Sequence, residues 1–266
     1  MPDNDGLVLA ERRGRVLLLT LNRPERLNAW TPELEDEYFA HLDAAEADGD
    51  VRAVVVTGAG KGFCAGADMA NLSRTSQGQE RIERPRPRTT PAMLRKPLIA
   101  AINGPAAGLG LIEALYCDVR FCTPEAKLTT AFARRGLIAE YGLAWLLPRL
   151  VGHSRAMDLL ISARVIVGAE AHRIGLVDHL VDADNLVDEA VAYAQDIAEN
   201  ASPTSIAIIK QQLLDAWESQ GLVESSDHAE RLTNEAVRRP DFAEGVNSYL
   251  EKRAPQFTPL EAPPGG

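Results

Sequence analysis

Two glycine-rich segments carry the residue types best suited to chemistry: G-F-C-A-G-A-D at 62–68 and N-G-P-A-A-G-L-G at 103–110. Each stands where the chain should leave a buried strand and enter a helix. Small side chains there let a ligand approach the backbone N–H groups, and the start of a helix adds positive potential. Two such turns converging on one oxygen would form an oxyanion hole, a device whose individual donors matter by about 3–4 kcal/mol. Tight strand–helix packing asks for the same small residues. The residues alone support both readings equally.

Other catalytic templates find no footing. G-A-G-K-G at 58–62 superficially resembles a phosphate-binding turn, but Phe63 stands where a Walker loop needs Ser or Thr and where a dinucleotide fingerprint needs Gly. Neither a G-x-S-x-G elbow nor an H-E-x-x-H helix is present. The five histidines (41, 153, 172, 179 and 228) lack metal-ligand spacing, and Cys64, Cys117 and Cys122 form no C-x-x-C pair, so no metal site is expected. The net charge of −10 over 266 residues disfavours nucleic acid as a partner. An odd, low cysteine count fits a reducing cytoplasm. The start of the chain shows no signal-peptide pattern, and no apolar run reaches the roughly 18 residues a membrane span requires, so neither export nor a membrane partner is expected.

The elements that must position the two turns read as an α/β order. Residues 7–13 and 16–22 predict two strands around Gly14. Thr31-Pro32-Glu33-Leu34 is a helix start, with a hydroxyl N-cap and Pro at the first position, and the helix should run to about Ala47. VRAVVVTG (51–58) is a β-branched run that predicts a buried parallel strand. Further strands are expected at 96–104, 117–123 and 127–132, with helices at 105–116 and 142–150. Beyond about residue 153 the pattern turns helical: 153–162, 168–174, 183–200, 203–219, 221–238 and 240–252. The tail FTPLEAPPGG is expected to be loose. Residues 73–96 hold six Arg and Lys96 against two Glu, a local balance of +5. That stretch reads as a solvated loop, or alternatively as a lid beside an anionic ligand.

In this order the motifs resemble the crotonase (enoyl-CoA hydratase/isomerase) superfamily over almost the whole chain. L-N-R-P-E-R-L-N-A (21–29) is similar to its CoA-contacting loop, and 62–68 and 96–110 to its two oxyanion turns. C-D-V-R-F (117–121), W-L-L-P-R-L-V-G (145–152), A-x-x-x-G-L-V-D (171–178) and Y-L-E-K-R-A-P-Q-F-T (249–258) follow in register. The resemblance implies an α/β, ClpP/crotonase-like spiral of ββα units over residues 1–195. It implies a helical oligomerisation region over 196–266 that builds a homotrimer or a dimer of trimers. It also implies an acyl-CoA thioester as substrate, with coenzyme A as part of the substrate and no separate cofactor. By position the oxyanion donors would be the N–H groups of Ala65 and Leu109, with Leu109 where the family usually has Gly. Arg26, Leu27, Ala65 and Asp68 fall where the family holds the CoA, and Lys252 and Phe257 where a neighbouring subunit often completes that site.

Hydratases of this family use two glutamates, a positioned base and acid for adding water across C=C. Their positions here are Ile112 and Phe132, both apolar and therefore expected to line the acyl pocket. Glu113 is adjacent to Ile112, but one residue turns a helix by about 100°, which should aim it elsewhere. A third family position falls on Glu140 in G-L-I-A-E-Y-G (136–142), where isomerases carry Asp, and the surrounding pattern is most similar to the phenylacetate-pathway epoxide/enoyl-CoA isomerase type. The bland alternative for Glu140 is an acid favoured by a helix N-terminus. The implied function is an enoyl-CoA isomerase with Glu140 as acid/base. The rivals are a hydratase using Glu140 with Glu113 or Tyr141, an acyl-CoA-binding subunit without chemistry, and an enzyme forming a covalent adduct at Glu140. Within the basic stretch, Arg84, Arg86 and Arg88 are expected to form a collar for the CoA phosphates.

Overall fold

A computed structural model describes residues 6–77, 86–218 and 221–261. Val8–Arg13 (β1) and Val16–Leu21 (β2) pair antiparallel around Gly14, whose φ of +61° suits a residue without a side chain. Thr31 caps Pro32–Ala47 (α1) by accepting the Leu34 N–H at 3.3 Å. Ala53–Gly58 (β3), Leu98–Ile102 (β4), Val119–Cys122 (β6) and His179–Leu180 (β9) extend the sheet in parallel, in the order β1-β2-β3-β4-β6-β9. A smaller sheet joins Ala106–Ala107 (β5), Lys127–Thr129 (β7) and Ile166–Val167 (β8). The helices are Met69–Ser76 (α2), Leu109–Leu115 (α3), Leu143–Val151 (α4), His153–Ser162 (α5), Gly168–Arg173 (α6), Leu186–Asn200 (α7), Pro203–Glu218 (α8), Leu222–Ala236 (α9) and Pro240–Glu251 (α10).

The uniformly buried run of β3 reflects burial on both faces of the sheet. Val54 and Val56 pack with Leu34, Phe39 and Leu42 of α1, while Ala53 and Val55 pack with Leu186, Ala190 and Ala194 of α7. Each such Val or Leu contributes about 1.5–3 kcal/mol by leaving water. Lys96 ties the start of β4 to the end of α1: its buried ammonium donates to the Ala45 and Asp48 carbonyls at 2.6 and 2.8 Å, which are C-terminal carbonyls a cation satisfies well.

Several expectations need correction. The helix expected at 105–116 begins only at Leu109, because 106–107 form β5 against β7. Residues 69–76 form a helix whose end runs into the stretch at 73–96 read as a loop. The described part of the tail, to residue 261, is anchored: Asp241 accepts the N–H and hydroxyl of Thr258 at 3.1 and 2.8 Å, Arg52 donates to the Phe257 carbonyl, and Leu260 is buried, while 262–266 lie outside the described residues. The basic collar does not form from the arginines the structure describes. Arg86 pairs with Asp43, and Arg88 turns inward onto the buried Glu35; Arg84 lies outside the described residues.

Candidate active site

The two glycine-rich turns meet. Phe63 and Cys64 both donate their N–H groups to the Pro105 carbonyl at 3.1 Å, and Ala107 donates to the Cys64 carbonyl at 3.0 Å. Glycine makes the approach feasible. A methyl on Gly110 would stand 2.2 Å from the Cys64 carbonyl oxygen, and one on Gly66 2.5 Å from that of Ala107. Tight packing and convergence on a ligand are therefore the same arrangement here. Cys64 is an inert part of it: burial pushes its thiol up to about 12, with weak opposition from the Gly66 backbone, so it does not serve as a nucleophile.

The donors differ from the expected pair in one member. The Ala65 N–H is taken by the Leu27 carbonyl at 2.9 Å and is not available to an oxyanion. Gly66, at φ +91°, reorients the chain after it. Trp30 brackets the next residue by donating to the Gly66 carbonyl at 2.7 Å and accepting from the Asp68 N–H at 3.0 Å. Between those two bonds the Ala67 N–H has no acceptor among the described residues. Leu109 opens α3, where an N–H has no intrahelical acceptor. The two amides belong to one neighbourhood, since a methyl on Gly66 would lie 3.5 Å from the Leu109 nitrogen. The geometry thus offers Ala67 and Leu109 as the donor pair. The small residues of 62–68 flagged the turn, but nothing in their types says which amide Leu27 captures.

The loop at 21–29 is built around Asn28. Its side chain accepts from the Arg23 N–H and donates to the Ala59 and Gly62 carbonyls, all within 3.0 Å, while Leu27 and Asn28 adopt φ of +48° and +56°. This leaves Arg26 and Leu27 exposed beside the first turn, where a ligand can reach them. Asp68 is committed locally. It caps α2 through the Ala70 N–H at 2.9 Å and pairs with Arg23. Burial opposes its charge, yet these partners hold its carboxyl below the usual range.

Phe132 lies against the second turn, its ring 3.9 Å from where a methyl on Gly108 would be. Ile112 is fully buried one turn into α3. Glu113 is also buried and points elsewhere. Neither carboxyl oxygen has a hydrogen-bond partner among the described residues, and its electrostatic neighbours are Arg88 and Glu35. Burial raises its pKa well above the usual carboxylate range, Arg88 opposing and Glu35 reinforcing.

Glu140 is half-buried on the turn before α4. That turn is anchored at one end by Phe132, whose carbonyl accepts from Leu137, and at the other by Leu143, which donates to the Glu140 carbonyl at 3.0 Å. Tyr116, just beyond α3, donates its hydroxyl to the Tyr141 carbonyl at 2.6 Å. The turn carrying Glu140 is therefore tied to the helix that Leu109 begins.

Lys252 and Phe257 are not brought to these turns. Lys252 is exposed at the end of α10, and Phe257 lines a cavity of about 510 Å³ with Phe242 and Tyr249. The Phe257 carbonyl is bonded to Arg52, at the start of β3, whereas the first turn follows the end of that strand, roughly 20 Å away. No helix among the described residues is long and apolar enough to cross a membrane.

Comparison with known proteins gives the family and the fold. The family described as "Enoyl-CoA hydratase/isomerase" matches residues 11–259. A 1,2-epoxyphenylacetyl-CoA isomerase of Escherichia coli K12 is 37% identical over 260 residues, covering 94% of this chain and 98% of its own. A putative enoyl-CoA hydratase of Thermus thermophilus is 39% identical over 92% of this chain and 98% of its own. Among solved structures, a probable enoyl-CoA hydratase/isomerase from Mycobacterium abscessus superposes with a TM-score of 0.88 at 30% identity, covering 95% of this chain and 99% of that one.

Proposed function

The chain belongs to the enoyl-CoA hydratase/isomerase family, and from that premise we propose that it is an enoyl-CoA isomerase with Glu140 as its acid/base. The observation that carries the reading is the meeting of two turns that leave the Ala67 and Leu109 amides without acceptors, beside Phe132 and with Glu140 on the adjoining turn. A thioester carbonyl oxygen held by both amides becomes more negative as the α-carbon loses a proton, so the donors stabilise the transition state more than the substrate. Glu140 removes the C2 proton of a 3-enoyl thioester. The C–H electron pair then spreads into a dienolate, and Glu140 returns the proton to C4, leaving the double bond at C2–C3. No cofactor enters this scheme, because backbone dipoles carry the developing charge.

Apolar residues at 112 and 132 favour this over hydration, which needs a second group to handle water. Glu113 does not supply that group, since it lies among Arg88 and Glu35. The similarity to an isomerase supports the same choice. Arg26 and Leu27 are the proposed CoA contacts within the chain. Lys252 and Phe257 would serve only a neighbouring subunit of an oligomer.

The test offers the purified protein a 3-enoyl-CoA and a 2-enoyl-CoA. The double bond of the first should shift and the second should resist hydration. Glu140→Gln should cut turnover by about 10²–10⁴-fold with acyl-CoA binding retained. Rapid hydration without a double-bond shift, or a Glu140→Gln variant at the wild-type rate, would sink the assignment.

A further inference from the structure

The turn that carries Glu140 has a conformation its own residues do not favour. Tyr141 has φ +52° and Gly142 φ +75°, two successive residues in the left-handed region, the first with a bulky side chain. Such a conformation persists where surrounding contacts over-determine it. Tyr141 is gripped twice: the Tyr116 hydroxyl holds its carbonyl, and the Arg88 guanidinium lies over its ring, 5.0 Å from the centroid.

Arg88 leads further. It forms an ion pair with Glu35 of α1, a carboxylate almost wholly out of water. Glu35 accepts the Trp30 indole N–H at 2.9 Å. The Trp30 backbone brackets Ala67 through its bonds to Gly66 and Asp68. A continuous chain of contacts, Trp30–Glu35–Arg88–Tyr141, therefore joins the peptide that presents one oxyanion donor to the turn that presents Glu140. Glu113 of α3 makes no hydrogen bond through either carboxyl oxygen among the described residues, and the guanidinium pairs with Glu35.

We infer that Arg88 and Glu35 are positioning residues, which set the separation between the Ala67 amide and the Glu140 carboxylate through Trp30 and Tyr141. The inference rests on Glu140 being the acid/base. Misplacing one of two groups that act on the same substrate by about 1 Å costs on the order of 10²-fold in rate, while binding of the CoA portion is untouched.

The experiment measures kcat and KM for a 3-enoyl-CoA in Arg88→Met, Tyr141→Leu and the double variant, with circular dichroism and Tm on each. Each single variant should lose about 10- to 100-fold in kcat with KM within about threefold of wild type. The double variant should be no slower than the slower single, because both break the same link. Tyr141→Phe should recover most of the rate lost in Tyr141→Leu, since it keeps the ring. If Arg88→Met does not fold, Arg88→Lys keeps the charge for Glu35 but lacks the planar face, and it should still lower kcat. A merely structural role predicts a lower Tm with kcat unchanged, and that result overturns the inference, as do losses that multiply in the double variant. Glu140→Gln is run in parallel. Turnover surviving there refutes the acid/base reading itself, whereas a dead Glu140→Gln beside a fully active Arg88→Met refutes only the relay.

Discussion

The contact between Gly110 and Cys64 is the most sensitive point of the proposed site. In Gly110→Ala the new methyl would begin 2.2 Å from the Cys64 carbonyl oxygen and 2.7 Å from its Cβ and Sγ, where ordinary contact starts at 3.4 Å. The nearest atom is backbone, so the turns themselves must part, by about 1 Å. Overpacking of this kind costs about 1–3 kcal/mol of stability. A donor displaced by about 1 Å costs on the order of 10²-fold in kcat, or about 2.7 kcal/mol of transition-state stabilisation. The two effects separate against Gly168→Ala, an equally severe insertion 2.1 Å from the Thr123 carbonyl oxygen at the start of α6. Isomerisation of a 3-enoyl-CoA, followed by ultraviolet absorbance, and Tm by calorimetry would be measured for both. Similar falls in Tm are expected, with kcat falling about 10²-fold only in Gly110→Ala. Equal kcat in the two variants would refute the argument that these turns build the reacting centre together.

Two further outcomes follow from the structure, beside those already given for Glu140 and Arg88. Burial raises the pKa of Glu113 in the folded chain above its unfolded value, so its contribution to stability is full below the unfolded carboxyl pKa and is lost as pH rises towards the raised folded value. Urea unfolding at several pH values should show Glu113→Gln gaining on wild type by up to about 1.4 kcal/mol per pH unit above about pH 4.5, and parallel curves would contradict a raised carboxyl pKa. Asp241 receives both Thr258 bonds and the Ser202 hydroxyl, so Asp241→Ala should release the tail to limited proteolysis near 254–261, and unchanged cleavage would mean that Arg52 and Leu260 hold it alone.

Much of this architecture is legible without coordinates because its causes are local. The Thr31-Pro32 start of α1 lies in the chemistry of adjacent residues, and the β-branched run of β3 states its own burial. The short strands β5, β8 and β9 were not legible. Two residues carry no periodicity, and each exists only because another strand lies alongside. The tail read as loose for the same reason: Thr258 and Leu260 look like end residues until Asp241 and Arg52 reach them from elsewhere in the chain.

At the site the division is sharper. The amino-acid types alone determined that two small-residue turns follow buried strands, that positions 112 and 132 are apolar, and that a carboxylate stands at 140. Tertiary structure decided which amides face the ligand. The Leu27 carbonyl captures Ala65, and Gly66 turns the chain so that Ala67 remains open beside Leu109. It also decided the sense of the basic stretch. Charge counting sees the sign of Arg88 but not its direction, and a guanidinium between an acid-bearing helix and an aromatic ring goes inward to Glu35 and Tyr141 instead of outward to phosphate. Composition adds up along the chain, whereas a hydrogen bond or an ion pair depends on which groups folding places within about 3 Å of each other.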